Sequence, residues 1–164
     1  MYVGEGYDVH AFLNEDTSTL VLGGVAIPHA RSLEGHSDAD VLTHAIMDAL
    51  LGAAKIEGAS DIGECFPPTD PQYAGISSVC LLKRVANLLD ENGCTVMNID
   101  ATIVAQAPKV APYKKQMVNT LAEALSLEPA QLSVKATTTE HLGFIGREEG
   151  IAARAVCLLD RKER

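Results

Sequence analysis

His36-Ser37-Asp38-Ala39-Asp40-Val41-Leu42-Thr43-His44-Ala45-Ile46-Met47-Asp48-Ala49-Leu50-Leu51-Gly52-Ala53 is the stretch on which the fold turns. Val41, Leu42, Ala45, Ile46, Ala49, Leu50 and Ala53 recur at helical spacing and form an apolar stripe. Ser37 followed by Asp40 is capping-box-like, and Asp38 and Asp40 suit the positive N-terminal end of a helix. A helix is therefore predicted from about Val41 to Ala53. On its wheel His44 falls roughly opposite the stripe, near Asp40 and Leu51, where it can face another element.

Outward from this helix the pattern alternates. Residues 2–9 read as a strand, and residues 18–28 as two short strands around Gly23-Gly24, a hairpin signal. Residues 57–75 carry Gly58, Gly63, Pro67, Pro68, Pro71 and Gly75 and read as one long irregular loop, a feature usually functional or mobile. Helices are predicted from about Ser77 to Asn92, with Gly93 placed to end it, and from about Tyr113 to Leu125. Further strands are expected at 95–105, 132–139 and 151–159, with a charged, frayed tail over Asp160–Arg164. The expected fold class is α+β. It is a two-layer α/β sandwich in one domain over 1–164, with a mixed four-stranded sheet and helices on one face.

The chain has 164 residues, 47% hydrophobic and 21% charged, with no Trp and 4% aromatic residues, so its core must be aliphatic. The net charge of −9 argues against nucleic acid as partner, because no basic stripe tracks phosphates. A small anionic substrate needs only local positive charge. No apolar run approaches the ~20 residues that cross a bilayer, so no membrane contact is expected. No basic n-region precedes an apolar segment at the N-terminus. A cytoplasmic bacterial protein is the expectation, or a plastid stromal one if the chain is the mature part of a longer precursor. Cys65, Cys80, Cys94 and Cys157 form no Cys-x-x-Cys pair and read as small buried thiols in a reducing compartment.

Asp8-Val9-His10 lies in the first predicted strand, where side chains two apart share a face. A carboxylate and an imidazole then converge, and His44 supplies a third group. Asp/His/His is a plausible zinc set with a fourth position open. Asp48, four residues beyond His44, is expected to fix the imidazole, although helix-surface pairs of this kind are common. Lys135-Ala136-Thr137-Thr138-Thr139-Glu140, at a strand end before a glycine-rich loop, offers hydroxyls and a lysine to a phosphate and a carboxylate to magnesium. Threonines are also ordinary strand formers. The loop containing Asp61, Phe66 and Asp70 reads as structural by its turn residues. In Ala105-Gln106-Ala107-Pro108-Lys109-Val110-Ala111-Pro112 the prolines leave carbonyls unpaired, which could read a polar ring or simply turn into a helix. Gly4-Glu5-Gly6 lacks the third glycine and following helix of a dinucleotide fingerprint. Neither a Walker motif nor Gly-x-Ser-x-Gly is present.

Together, Gly4–His10, His36–Ala54, Asp61–Gly63, Ala105–Lys109 and Lys135–Arg147 resemble the 2-C-methyl-D-erythritol 2,4-cyclodiphosphate synthase family, in order and across nearly the whole chain. The resemblance implies that Asp8, His10 and His44 bind zinc, and that His36 and Thr138 stabilise the transition state. It implies that Glu140 holds magnesium or manganese on the diphosphate. Asp8, Val9, His10, His36 and Ser37 would contact the substrate, and Asp61, Ile62, Gly63, Phe66, Pro67, Pro68, Thr69 and Asp70 would line the methylerythritol site. Ala105, Gln106, Ala107, Pro108, Lys109, Val110 and Ala111 would hold the cytidine part with Thr137. Thr138, Thr139, Glu140, Phe144 and Arg147 match further substrate-contacting positions. A homotrimer with sites between subunits is implied, with an axial cavity that takes an isoprenoid-like ligand. Two departures stand out. Pro68 occupies a position where the family usually has Asp, removing a carboxylate and an N–H. Residues 57–60 are slightly longer than usual, which bears on loop mobility.

The implied reaction is intramolecular. The 2-phosphate of a cytidine diphosphate of methylerythritol attacks its own β-phosphorus, and CMP leaves. The nucleophile is already anionic, which suits a site without a Ser-His-Asp arrangement. The alternatives are a zinc phosphodiesterase on the same scaffold and a trimeric binding protein without turnover.

Overall fold

The computed structural model describes residues 1–161, apart from the side chains of residues 15 and 16. Its elements are β1 (Tyr2–Asp16), β2 (Thr19–Leu22), β3 (Val25–Pro28), β4 (Arg31–Leu33), α1 (Val41–Ala54), α2 (Ile62–Cys65), α3 (Ser78–Glu91), β5 (Cys94–Val104), α4 (Lys114–Ala124), β6 (Leu132–Thr137), α5 (Gly143–Gly146) and β7 (Gly150–Arg161). The main sheet runs β4-β1-β7-β5-β6, and β2 and β3 form a separate hairpin. All its pairings are antiparallel except β5 with β6. That parallel step needs a crossover, which α4 provides. The sheet is mixed, as expected, but has five strands rather than four. The added edge strand, β4, is three residues long and carries no alternation to read. β7 continues through Asp160 and Arg161, which are paired and not frayed; the rest of the expected tail lies outside the described residues.

The pairing of β1 with α1 follows from residue size. Gly4, Gly6, Asp8 and His10 share the face of β1 turned to α1. A Cβ at Gly4 would lie 1.9 Å from the Ala49 carbonyl oxygen, and one at Gly6 2.0 Å from that of Ala45. Ala45, Ala49 and Ala53 complete the small-to-small contact, and α1 lies directly on the strand. This is the physical reason for Gly4-x-Gly6. All of α1 except Asp48 and Gly52 is buried. The predicted stripe is therefore one side of a helix buried nearly all round, and His44 is not on a solvated face.

Asp40, not Ser37, caps α1, its Oδ1 accepting from Thr43 N at 3.0 Å. It also accepts from Gly23 N (2.8 Å), Gly24 N (2.7 Å) and Thr43 Oγ1 (2.7 Å), so one fully buried carboxylate ties the hairpin turn to the helix start. Both glycines have positive φ, as a two-residue hairpin turn requires. The core is aliphatic apart from Phe12 and the sulfur-bearing side chains, and Cys94 and Cys157 belong to it. Burial pushes the Cys157 thiol up to about 11. Cys65 is only half-buried and Cys80 is exposed, contrary to the expectation for all four. Among the described residues no helix is long and apolar enough to cross a membrane.

The loop expected over 57–75 is more regular than its composition suggests. Ile56 to Ala59 closes a tight turn. Asp61 caps α2 by accepting from Glu64 N at 2.9 Å, and Asp70 caps a 3-10 turn beginning at Pro71. Pro68 sits second in a turn closed by Asp70 N to Pro67 O at 3.0 Å, a position that needs no N–H and suits proline.

Candidate metal centre

Where the glycines of β1 give way to Asp8 and His10, α1 presents His44. Asp8 Oδ2 lies 2.9 Å from His10 Nε2 and 3.1 Å from His44 Nδ1, and the two nitrogens are 3.1 Å apart. The three atoms form a nearly equilateral triangle. A tetrahedral zinc ion with bonds of ~2.0–2.1 Å spaces its ligands by roughly 3.3–3.4 Å, so a small inward ion fits with slight expansion. The outward nitrogens are both engaged. His10 Nδ1 donates to the Glu34 carbonyl at 2.5 Å, and His44 Nε2 stands 2.9 Å from Ser78 Oγ and 3.1 Å from Ser37 Oγ. Such outward bonds orient metal-ligating imidazoles.

The electrostatics agree. Burial pushes the Asp8 carboxyl up, yet the imidazoles of His10 and His44 beside it outweigh that and hold the group well below the usual carboxylate range. Burial lowers His10, and the hydrogen bond and charge of Asp8, with the Glu34 carbonyl and the charge of Asp40, together raise it above its usual value. A proton held here competes with a divalent ion for the same place.

Asp48 does not touch the His44 ring as expected. Its Oδ1 accepts from Ile62 N at 2.9 Å and pins the start of α2. Burial raises its carboxyl above the usual value, against the lowering effect of that N–H. The residues behind His44 are Ser78 and Ser37 instead. Ser78 was hidden in sequence because a serine at a helix start reads as a cap.

The triad opens into a cavity of about 230 Å³ lined also by His36, Ser37, Ile62, Gly63, Phe66 and Pro68. Met47, Tyr73 and Leu81, which the sequence did not mark as site residues, complete it. Phe66 meets Tyr73 edge-on at 5.4 Å and makes an apolar wall. Asp61, Pro67, Thr69 and Asp70 shape the loop without lining the cavity. The Val9 side chain points to the opposite sheet face and is exposed.

A second cavity of about 350 Å³ lies at the carboxyl ends of β5 and β6, lined by Ala105, Gln106, Pro108, Lys109, Val110, Ala111, Ala136, Thr137 and Thr138. The Ala107–Pro108 peptide is cis. Gln106 Oε1 accepts from His141 N at 3.2 Å and joins this loop to the turn after β6. In that turn Thr138 Oγ1 donates to Glu140 Oε1 at 2.9 Å, and Thr139 Oγ1 donates to the Leu142 carbonyl at 2.7 Å. Lys135 is not in the cavity, since its ammonium pairs with Asp100 at 2.5 Å on the sheet surface. Phe144 is exposed, and Arg147 pairs with Glu149 at 2.7 Å, so neither joins the two cavities.

Comparison with known proteins places this geometry. The YgbB family matches residues 1–160. The 2-C-methyl-D-erythritol 2,4-cyclodiphosphate synthase of Pelotomaculum thermopropionicum is 56% identical over 161 residues, covering 98% of this chain and 96% of its own length. That of Syntrophomonas wolfei is 55% identical over 161 residues, covering 98% and 99%. Among solved structures, the bifunctional IspDF from Campylobacter jejuni matches 99% of this chain with a TM-score of 0.90 and 42% identity. This chain spans 42% of that longer one. The CDP complex of IspF from Plasmodium falciparum matches with a TM-score of 0.82 and 33% identity, covering 99% of this chain and 97% of that one.

Proposed function

The chain belongs to the YgbB family, the 2-C-methyl-D-erythritol 2,4-cyclodiphosphate synthases, and from that membership we infer how its own residues carry the reaction. It is an enzyme of non-mevalonate isoprenoid biosynthesis, converting 4-diphosphocytidyl-2-C-methyl-D-erythritol 2-phosphate to the 2,4-cyclodiphosphate and CMP. One P–O bond forms, from a 2-phosphate oxygen to the β-phosphorus. One breaks, from the β-phosphorus to the bridging oxygen, and CMP leaves with the electron pair. No proton need be removed from the nucleophile.

The observation that carries the metal assignment is the convergence of Asp8 Oδ2, His10 Nε2 and His44 Nδ1 within 2.9–3.1 Å, with both imidazoles tied from behind. Zinc held there would orient a β-phosphate oxygen and withdraw charge from it. Glu140, an exposed oxygen donor beside Thr138, would hold magnesium or manganese on the diphosphate. His36 and Ser37 line the same cavity and donate to the phosphoryl oxygens. Ile62, Gly63, Phe66 and Pro68 enclose the methylerythritol carbons, with Asp61, Pro67, Thr69 and Asp70 setting the loop, and the Phe66–Tyr73 wall excludes water. Asp8, Val9 and His10 also present main-chain groups. The cavity over Ala105–Ala111, with Thr137, takes the cytidine. Holding the two phosphates together supplies ~7–11 kcal/mol in favourable intramolecular cases.

The two cavities share no lining residue. Asp8 and Ala136 stand on one rung of the sheet, three strand steps apart through Ala153 and Ile103. At ~4.8 Å per step that is roughly 14 Å. The sheet face away from the helices is uncovered, with Val3, Tyr7, Val9 and Val156 exposed side by side. Both features support a homotrimer in which the cytidine cavity of one chain serves the metal centre of the next, with Phe144 and Arg147 acting in the assembly. An apolar axial ligand would fit such a face, and the bacterial cytoplasm or a plastid stroma is the setting.

The test is incubation with the cytidine diphosphate substrate and Mg²⁺, followed by phosphorus NMR. Cyclic diphosphate with CMP is the expected product; a linear phosphate ester would overturn the assignment in favour of hydrolysis.

A further inference from the structure

We propose that Asp38 and Ser78 are positioning residues that fix the tautomer of His44. Ser78 is fully buried at the first turn of α3. Asp38 Oδ2 accepts from Ser78 N at 2.9 Å, and its Oδ1 accepts from Ser78 Oγ at 2.5 Å and from Asp40 N at 3.4 Å. A hydroxyl has one hydrogen, and a carboxylate can only accept. The Ser78 hydrogen therefore goes to Asp38, and Ser78 Oγ must accept from His44 Nε2, 2.9 Å away. The imidazole then carries its hydrogen on Nε2 and its lone pair on Nδ1, the atom 3.1 Å from both Asp8 Oδ2 and His10 Nε2. Ser37 Oγ, 3.1 Å from the same nitrogen, accepts from Ala39 N and sets no such direction. Asp38 N also donates to the Ile76 carbonyl at 3.2 Å, so the pair links the end of the substrate loop to the metal ligand.

The proposal rests on the triad's holding a metal ion, and the experiment separates the two. Zinc affinity is measured by chelator competition in the whole protein, its Asp38→Asn variant and its Ser78→Ala variant. Nitrogen-15 NMR of His44 follows in each after zinc removal. In Asp38→Asn the amide must turn its oxygen to Ser78 N and its NH₂ to Ser78 Oγ. The serine hydrogen then turns to His44, and the imidazole hydrogen moves to Nδ1, into the metal's place.

Both variants are expected to bind zinc ~10–100-fold more weakly, the usual effect of losing a partner behind a ligand. The parent is expected to show an Nε2–H imidazole and Asp38→Asn an Nδ1–H one. Parent-like affinity and tautomer in both variants, with only the melting temperature lowered, would reduce the pair to a structural contact. An Nδ1–H imidazole in the zinc-free parent overturns the proposal without any variant. A parent that binds no zinc overturns the reading of the centre itself.

Discussion

Gly6→Ala should expel the metal without touching a ligand. The Ala45 carbonyl oxygen would lie 2.0 Å from the new Cβ, and the Ala49 nitrogen 2.7 Å. Both are backbone atoms of α1, so no side chain can swing away. Contacts under 3.0 Å are not tolerated, so the helix must withdraw by about 1 Å or more at Ala45, beside His44. Metal sites keep their ligand distances to roughly ±0.2 Å, and a 1 Å retreat of His44 exceeds that several-fold. Zinc affinity should fall at least ~100-fold, equivalent to about 2.7 kcal/mol. Overpacking should remove a further ~1–3 kcal/mol of stability. Chelator competition and thermal melting read the two effects. Gly52→Ala is the control on the same helix: its Cβ meets nothing within 4 Å, so it should add ~0.5–1 kcal/mol and leave zinc binding alone. Parent-like zinc affinity and melting in Gly6→Ala would refute the close-packing argument.

Asp48→Ala should leave zinc bound and raise KM several-fold, because it releases Ile62 N at the start of the substrate loop rather than a ligand; loss of zinc in metal analysis would restore Asp48 to the metal centre. Thr138→Ala should also retain zinc and lose most of kcat, since its hydroxyl sits with Glu140 at the strand end; steady-state assays showing parent turnover would remove it from the reaction. Pro68→Asp should fold normally and leave substrate affinity equal or tighter, because the turn accepts other residues at that position; a large rise in KM would show that the proline is adapted to this loop.

What sequence revealed and concealed divides along physical lines. Periodicity exposed the long strands and the three main helices, because a half-buried element must alternate. It concealed β4, which is too short to alternate. It placed His44 off the stripe and free to face another element, as it does against β1, but did not show the burial of nearly every α1 residue, because the helix packs on strand glycines on one side and on α3 on another. The close approach was written in Gly4, Gly6, Ala45, Ala49 and Ala53, but each small residue means little until the partner is known. The triad was legible because its spacing is local on β1. The direction in which His44 holds its hydrogen was not, because Asp38 and Ser78 lie 40 residues apart in sequence. Likewise, Asp48 was assigned to the nearer histidine by helical spacing, whereas a loop N–H took it.

The most direct test is anomalous diffraction at the zinc edge on crystals of the zinc-loaded protein. One zinc per chain is expected, bonded at ~2.0–2.1 Å to Asp8 Oδ2, His10 Nε2 and His44 Nδ1. A zinc ion bound elsewhere, or bonded to His44 through Nε2, would contradict the account.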